Sequence, residues 1–357
     1  ISLFDIAGEE DKEEFDIRMP DVGEYNKEML LGFEKEVLGV YVSGHPLEEY
    51  QELWQNLRKA GVWFPAVILL WVFIYYLNAW SWYVIIRDGK HAKVPFWKVY
   101  KLTISGFALN YATPVGLMGG EPYRIMELTP YVGASKATSS VILYVMMHIF
   151  SHFWFWLVSA VLFVIFEPMN WGLGIMLAVV AFVCLLAIYF FMKGYRNGMA
   201  VRTFKLLCHV PYVKRWASRF LTEKRETLER VDEQIAELHK QRKSTFYVAL
   251  GLEFMARIVG CAEVFFILNI LTDHVSFLAC ILIMAFTSLF ANLFFFSPMQ
   301  LGAREGGFAL AVGGLAIPSA FGIYTGLITR VRELIWIVIG VLLMKVGNGT
   351  PNKTKDE

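Results

Sequence analysis

Apolar runs of membrane-spanning length recur along this chain, and they constrain its fold more than anything else in it. The stretches 62–86, 137–166, 171–192, 245–271, 275–296 and 319–346 each match or exceed the roughly 20 residues that a helix needs to cross about 30 Å of hydrocarbon. A seventh, 96–111, is shorter. With 56% hydrophobic and only 18% charged residues and a mean hydropathy of +0.48, the chain lies outside the range of ordinary soluble domains. Inside hydrocarbon, backbone polar groups must find partners within the segment, which favours helices. The pattern predicts an all-α polytopic transmembrane helix bundle of about seven or eight spans. Trp63, Trp80, Trp82, Trp97 and Trp171 fall near expected helix ends, where an aromatic belt would sit at the headgroups.

Two of these runs break at the same pattern. One is Thr113-Pro114-Val115-Gly116-Leu117-Met118-Gly119-Gly120-Glu121; the other is Ser297-Pro298-Met299-Gln300-Leu301-Gly302-Ala303-Arg304-Glu305. In both, a hydroxyl residue precedes proline, leucine follows three positions on, and glutamate follows seven positions on. Non-helical backbone at membrane depth survives only when buried in protein or lining a watery cavity. Two such breaks in corresponding halves point to a transporter's central site. The short apolar stretches 122–128 and 303–316 then read as half-helices or re-entrant arms, and the two breaks as a pseudo-repeat.

An acid at membrane depth is costly and usually functional, so Glu121 and Glu305 lead the candidates. They suit a cavity that binds a cation, relays a proton or orients an arginine. The structural alternative is an ion pair that locks the break, with Arg124 or Arg304 as partner. Those two arginines also match phosphate, whose oxygens a guanidinium binds bidentately, and the helix N-termini after the breaks add N–H donors. His148 and His152 share a helix face. They lack the further ligands of a metal site, so a cavity-lining or hydrogen-bonding role is expected. Glu253 and Arg257 have the spacing of an intrahelical ion pair, with Glu263 on the same span. Arg330, Arg332 and Glu333 interrupt the last span. Such deep charges should face the bundle interior, and a polar cavity shared by His148, His152, Glu253, Arg257, Arg330 and Glu333 with the two motifs is expected. Cys184, Cys208, Cys261 and Cys280 have no CxxC spacing and read as packing residues. No nucleophile elbow, phosphate loop or catalytic carboxylate pair is present, and no cofactor or metal is expected.

Charge is unevenly spread. Residues 1–59 hold 15 Asp and Glu against 6 Lys and Arg, whereas 193–243 hold 13 Lys and Arg against 6 Asp and Glu. The basic segment is expected in the cytoplasm, with 199–207 as an amphipathic surface helix and 222–243 as a solvated helical arm. The expected division is a soluble acidic segment 1–56, a membrane domain 57–347 and a polar tail 348–357. Within the first segment, Ile1–Asp5 and Glu34–Leu47 resemble a stretch of the bacterial DNA polymerase III alpha subunit that carries none of its catalytic carboxylates. His45 before Pro46 reads as a turn residue.

Residues 57–347 resemble the transmembrane, flippase-like domain of lysylphosphatidylglycerol synthases and the stand-alone proteins related to it. The resemblance rests on Asn110 to Gly116 with Gly120 to Arg124, and on Pro298 to Gly306. The second motif departs from the family by Met299-Gln300 where two glycines are common, so a less tight turn is expected; the first departs by the inserted Leu117-Met118. The resemblance implies movement of phospholipid or lipid-linked headgroups across a bacterial plasma membrane. Its substrate site would draw on Asn110, Pro114, Gly120, Glu121, Arg124, Pro298, Gly302, Arg304, Glu305 and Gly306. Family members with two domains add a soluble aminoacyltransferase. This sequence runs out into a polar tail after Gly347, so aminoacyl transfer is not expected, nor is nucleic-acid binding by the membrane domain. The competing readings are a lipid-modifying membrane transferase and a non-transporting scaffold.

Overall fold

The computed structural model describes residues 63–87, 94–112, 119–168, 170–197, 208, 214–223, 225, 229, 243–272, 275–294, 300 and 302–345, together with 33, 36 and 37. The chain divides into two compact units, Ile1–Gln55 and Asn56–Glu357. The Pro-containing stretches 113–118 and 295–299, the run 199–207 and most of the segment 222–243 lie outside the described residues.

Each expected span is a helix, and no strand occurs among the described residues. In chain order the helices are α1 (Phe64–Arg87), α2 (Phe96–Ala112), α3 (Gly120–Val132), α4 (Ala134–Phe166), α5 (Trp171–Asn197), α6 (Lys214–Glu223), α7 (Lys243–Leu271), α8 (Phe277–Leu293), α9 (Ala303–Gly314) and α10 (Ser319–Lys345). Among them α1, α4, α5 and α7 are both long and apolar enough to cross a membrane. Helices α2 and α8 have 17 residues each, about 25 Å. At 27 residues α10 has the length, but Arg330, Arg332 and Glu333 lower its apolarity.

Helices α1–α4 and α7–α10 repeat one another. The lengths run 24, 17, 13 and 33 residues in the first set, and 29, 17, 12 and 27 in the second. Packing repeats too: α2 on α10 mirrors α8 on α4, and α1 packs on α7 between the sets. That central pair is antiparallel. Trp63 stacks on Phe266, Trp71 donates to Glu263 and Ser81 donates to the Ala249 carbonyl, so numbers rise along α1 as they fall along α7. Equivalent helices running in opposite directions make this an inverted repeat, the architecture of many transporters.

Each broken motif closes a helical hairpin. Helix α3 runs back along α2, with Gly120 beside Asn110, Arg124 beside Thr103 and Glu127 on Lys98 at 2.6 Å. In the second set Gly307 meets Thr287, and Phe308 and Val312 pack with Cys280 and Ile283. Pro122 falls in the first turn of α3, where a missing N–H costs no helical bond. Because lipid tails are as apolar as Leu, helices here associate through close packing and hydrogen bonds. A Cβ on Gly120 would strike the Gly106 carbonyl, and one on Gly340 would lie 2.6 Å from the Ala108 Cβ. Ser105 Oγ donates to the Gly340 carbonyl at 3.1 Å. Trp82 departs from the aromatic-belt expectation. It is fully buried, with Nε1 3.4 Å from Ser140 Oγ, because Arg124 of α3 and Tyr144 of α4 pack over it.

Candidate functional site

The first motif builds a small polar cluster at the tip of the α2–α3 hairpin. Asn110 holds both ends of the break: its Oδ1 accepts from the Gly120 N–H at 2.7 Å, and its Nδ2 donates to Glu121 Oε1 at 3.0 Å. Glu121 lies in the first turn of α3, where a carboxylate suits the helix dipole, and faces Arg124 at 3.5 Å. The Arg124 guanidinium is deeply enclosed. It donates to the carbonyls of Leu102 at 3.4 Å and Thr103 at 3.2 Å, lies 5.8 Å from the Trp82 ring and 5.4 Å from that of Tyr144, and touches Gly106, where any Cβ would displace it.

The second motif builds a larger network. Gly302, at φ 78, precedes α9, and its N–H donates to Glu305 Oε2 at 2.9 Å, so Glu305 caps its own helix. The other Glu305 oxygen accepts from Arg330 at 2.7 Å. Arg304 turns away from Glu305 and bonds Glu333, with a further bond of 3.1 Å to Tyr111 Oη. Arg330 also reaches Glu333 at 3.3 Å. Beneath these, Arg332 binds both oxygens of Glu263 at 2.9 and 3.1 Å and stacks 3.7 Å from the Trp71 ring centroid, while Trp71 Nε1 donates to Glu263 at 2.8 Å. The less tight turn expected from Met299-Gln300 lies outside the described residues except at Gln300. Gln300 adopts φ 54, a left-handed conformation rare outside glycine. Its carbonyl accepts from Arg330 at 3.0 Å.

A third cluster lies between α4 and α7. His148 Nδ1 is 2.8 Å from Glu253 Oε2, and Arg257 donates to Ser151 Oγ at 2.6 Å and to the His148 carbonyl at 2.7 Å. The His152 ring meets that of His148 edge-on, 5.6 Å between centroids, and that of Trp156 at 5.3 Å. The intrahelical Glu253–Arg257 ion pair expected from spacing is not made. Helix α4 supplies nearer partners, and Glu253 Oε1 is left without a hydrogen bond.

Two buried tyrosines stand among the three clusters. Tyr144 is in electrostatic reach of Glu253, Arg257, Arg124 and Glu121, and Tyr75 of Arg332, Glu333, Tyr111 and Tyr144. The two motifs meet at consecutive residues of α2, since Asn110 binds Glu121 while Tyr111 binds Arg304. Pro114 and Pro298 lie outside the described residues, and Gly306 has open space where a side chain would begin. Tyr75, Tyr144 and Trp71 carried no signal in the sequence, and Tyr111 and Gln300 lay within the two motif stretches without being singled out as site residues. Aromatic residues are abundant here, and only tertiary contact separates these from the rest. Among the described residues, no group of three or more His, Cys, Asp or Glu stands together as a metal site would require.

Comparison with known families matches residues 46–340 to the family described as lysylphosphatidylglycerol synthase TM region. The match begins ten residues before the boundary expected at 56, and the polymerase resemblance of the first segment finds no support. Neither a curated protein nor a solved structure matches the chain.

Proposed function

The chain belongs to the lysylphosphatidylglycerol synthase TM region family, and on that premise we propose that it moves a phospholipid or lipid-linked headgroup across the bilayer. The observation that carries this reading is the meeting of the two broken hairpins at Asn110 and Tyr111. An inverted repeat supports it, because two equivalent hairpins running in opposite directions can open alternately to the two faces. The headgroup phosphate competes with Glu333 for Arg304, whose side chain is 17% exposed. Arg124, enclosed by carbonyls and rings, reaches phosphate only when α3 shifts from α2. Until then it orients Glu121. Glu121 and Glu305 are about a quarter exposed, at 27% and 24%, and act as gates: Glu121 takes back Arg124 once the headgroup leaves, and Glu305 holds Arg330 beside Glu333, which takes back Arg304. In this reading the basic segment 193–243 faces the cytoplasm of a bacterial plasma membrane, as its Lys and Arg excess favours.

A scaffold without transport is the second reading. It is favoured by the closed pairing of Arg304 with Glu333 and of Arg330 with Glu305. The two readings separate in liposomes that carry fluorescent phosphatidylglycerol or phosphatidylethanolamine, with the outer leaflet quenched chemically. Full-length protein is expected to expose inner-leaflet label, and Arg304→Gln and Glu305→Gln to abolish this while keeping the melting temperature in detergent. Folded variants that move lipid like the parent would remove both residues from the mechanism. No movement of either lipid by the parent would favour the scaffold.

A further inference from the structure

The cluster between α4 and α7 has no task in binding a headgroup, yet its chemistry is specific. The Glu253 side chain is only 1% exposed while that of His148 is 46% exposed, so a buried carboxylate is joined through a 2.8 Å contact to an imidazole within reach of the surroundings. An imidazole half exposed in the middle of a spanning helix is poorly matched to acyl chains and well matched to a watery cleft. Two buried atoms beside it have no hydrogen-bond partner, Glu253 Oε1 and His152 Nδ1. Unpaired polar atoms at such depth are costly, and a proton is the smallest ligand that would engage either.

Resting on the transport reading above, we propose that His148 and Glu253 form a proton-binding site, through which lipid movement is coupled to the transfer of one proton per cycle. The proton sits on His148 Nδ1, on Glu253, or between them, and leaves through the exposed imidazole. The pair has few charged neighbours. Arg257 faces it from α7, its carbonyl accepting from the Cys261 thiol at 3.3 Å; Tyr144 and His152 face it from α4. Tyr75 of α1 and the Arg124–Glu121 pair of α3 reach it through Tyr144. Helix α8 has no acidic or basic residue, and the charges of α1 and α5 lie at their last turns, at Arg87, Lys193 and Arg196. With Arg257 balancing Glu253, an added proton leaves the cluster with a net positive charge. Tyr144, beside both this site and Arg124, is the group through which that charge is felt at the first hairpin.

The test reads proton binding directly, apart from lipid movement. Infrared difference spectra of the full chain in detergent, recorded over a stepped pH series, report protonated carboxyl and imidazole bands. Beyond the background of the chain's other histidines, recorded in a His148→Gln/Glu253→Gln double variant, one titrating site is expected. Its signal should vanish in Glu253→Gln, and its midpoint should move by about one pH unit, a tenfold change in affinity, in His148→Gln. Position 148 is half exposed, so that variant decides the matter if Glu253→Gln fails to fold. A titrating signal identical in parent and His148→Gln, or none in the parent, overturns the proposal even where lipid moves in liposomes. A titrating site in a protein that moves no lipid leaves proton binding standing and removes the transport reading with its coupling. In lipid-moving liposomes, an imposed pH gradient should change the parent's rate several-fold and that of His148→Gln hardly at all; equal responses would overturn the coupling.

Discussion

Glu263 and Arg332 form the most enclosed ion pair among the described residues, with side chains 1% and 3% exposed. Losing one partner of such a pair leaves a charge without compensation. Glu263→Gln should therefore cost about 3–5 kcal/mol and lower the melting temperature in detergent sharply, or abolish expression. Glu121→Gln should behave otherwise. Its side chain is 27% exposed, water screens the change, and Arg124 keeps two carbonyl partners, so a loss below about 1 kcal/mol is expected. Equal melting shifts for the two variants would contradict this ranking. That both glutamates would matter was legible in the sequence, since acids inside apolar runs are rare. Arg124 as the partner of Glu121 was legible too, three positions on; the partners of Glu263 and Glu305 were not. Arg304 precedes Glu305 directly and was a candidate partner, yet neighbours in a helix point about 100° apart. The carboxylate instead takes Arg330, 25 positions away.

At the scale of elements, the hairpins depend on backbone approaching backbone. A Cβ on Gly120 would meet the Gly106 carbonyl, so Gly120→Val should push α3 off α2. The expected cost is about 1–3 kcal/mol, in the range of an overpacked core, with a lower melting temperature. Gly251 is the control. A Cβ there meets nothing within 4 Å, and Gly251→Ala should melt like the parent or slightly higher, given the helix preference of alanine. A parent-like Gly120→Val would mean that the hairpin is looser than described. Sequence periodicity placed the arms within a few residues, because Pro and Gly end helices for local steric reasons. It did not reveal that α3 returns along α2, which depends on small residues meeting across the hairpin.

For the whole molecule, the inverted repeat is open to a direct geometric test. With the native cysteines replaced, cysteines at Val67 and Ile267, which share a cluster, should cross-link in membranes. Cysteines at Val67 and Ala249 should not, since Ala249 packs beside Ser81 near the other end of α1. The reverse result would make α1 and α7 parallel and remove the inversion. What the sequence determined by itself was the solvent and the class of structure. Apolar length and the demand that backbone groups be satisfied in lipid leave helices, and the twice-used Pro–Glu pattern marks where two of them break. It also marked most of the charged residues that matter, because burying a charge in hydrocarbon is too costly to be incidental. Beyond the local Glu121–Arg124 pair, only the tertiary structure decided who pairs with whom. Charges on one spanning helix choose among carboxylates and rings on several neighbours, and that choice follows from helix direction, rotation and the close approaches that glycine permits. Those quantities depend on three-dimensional packing, which spacing along the chain does not encode.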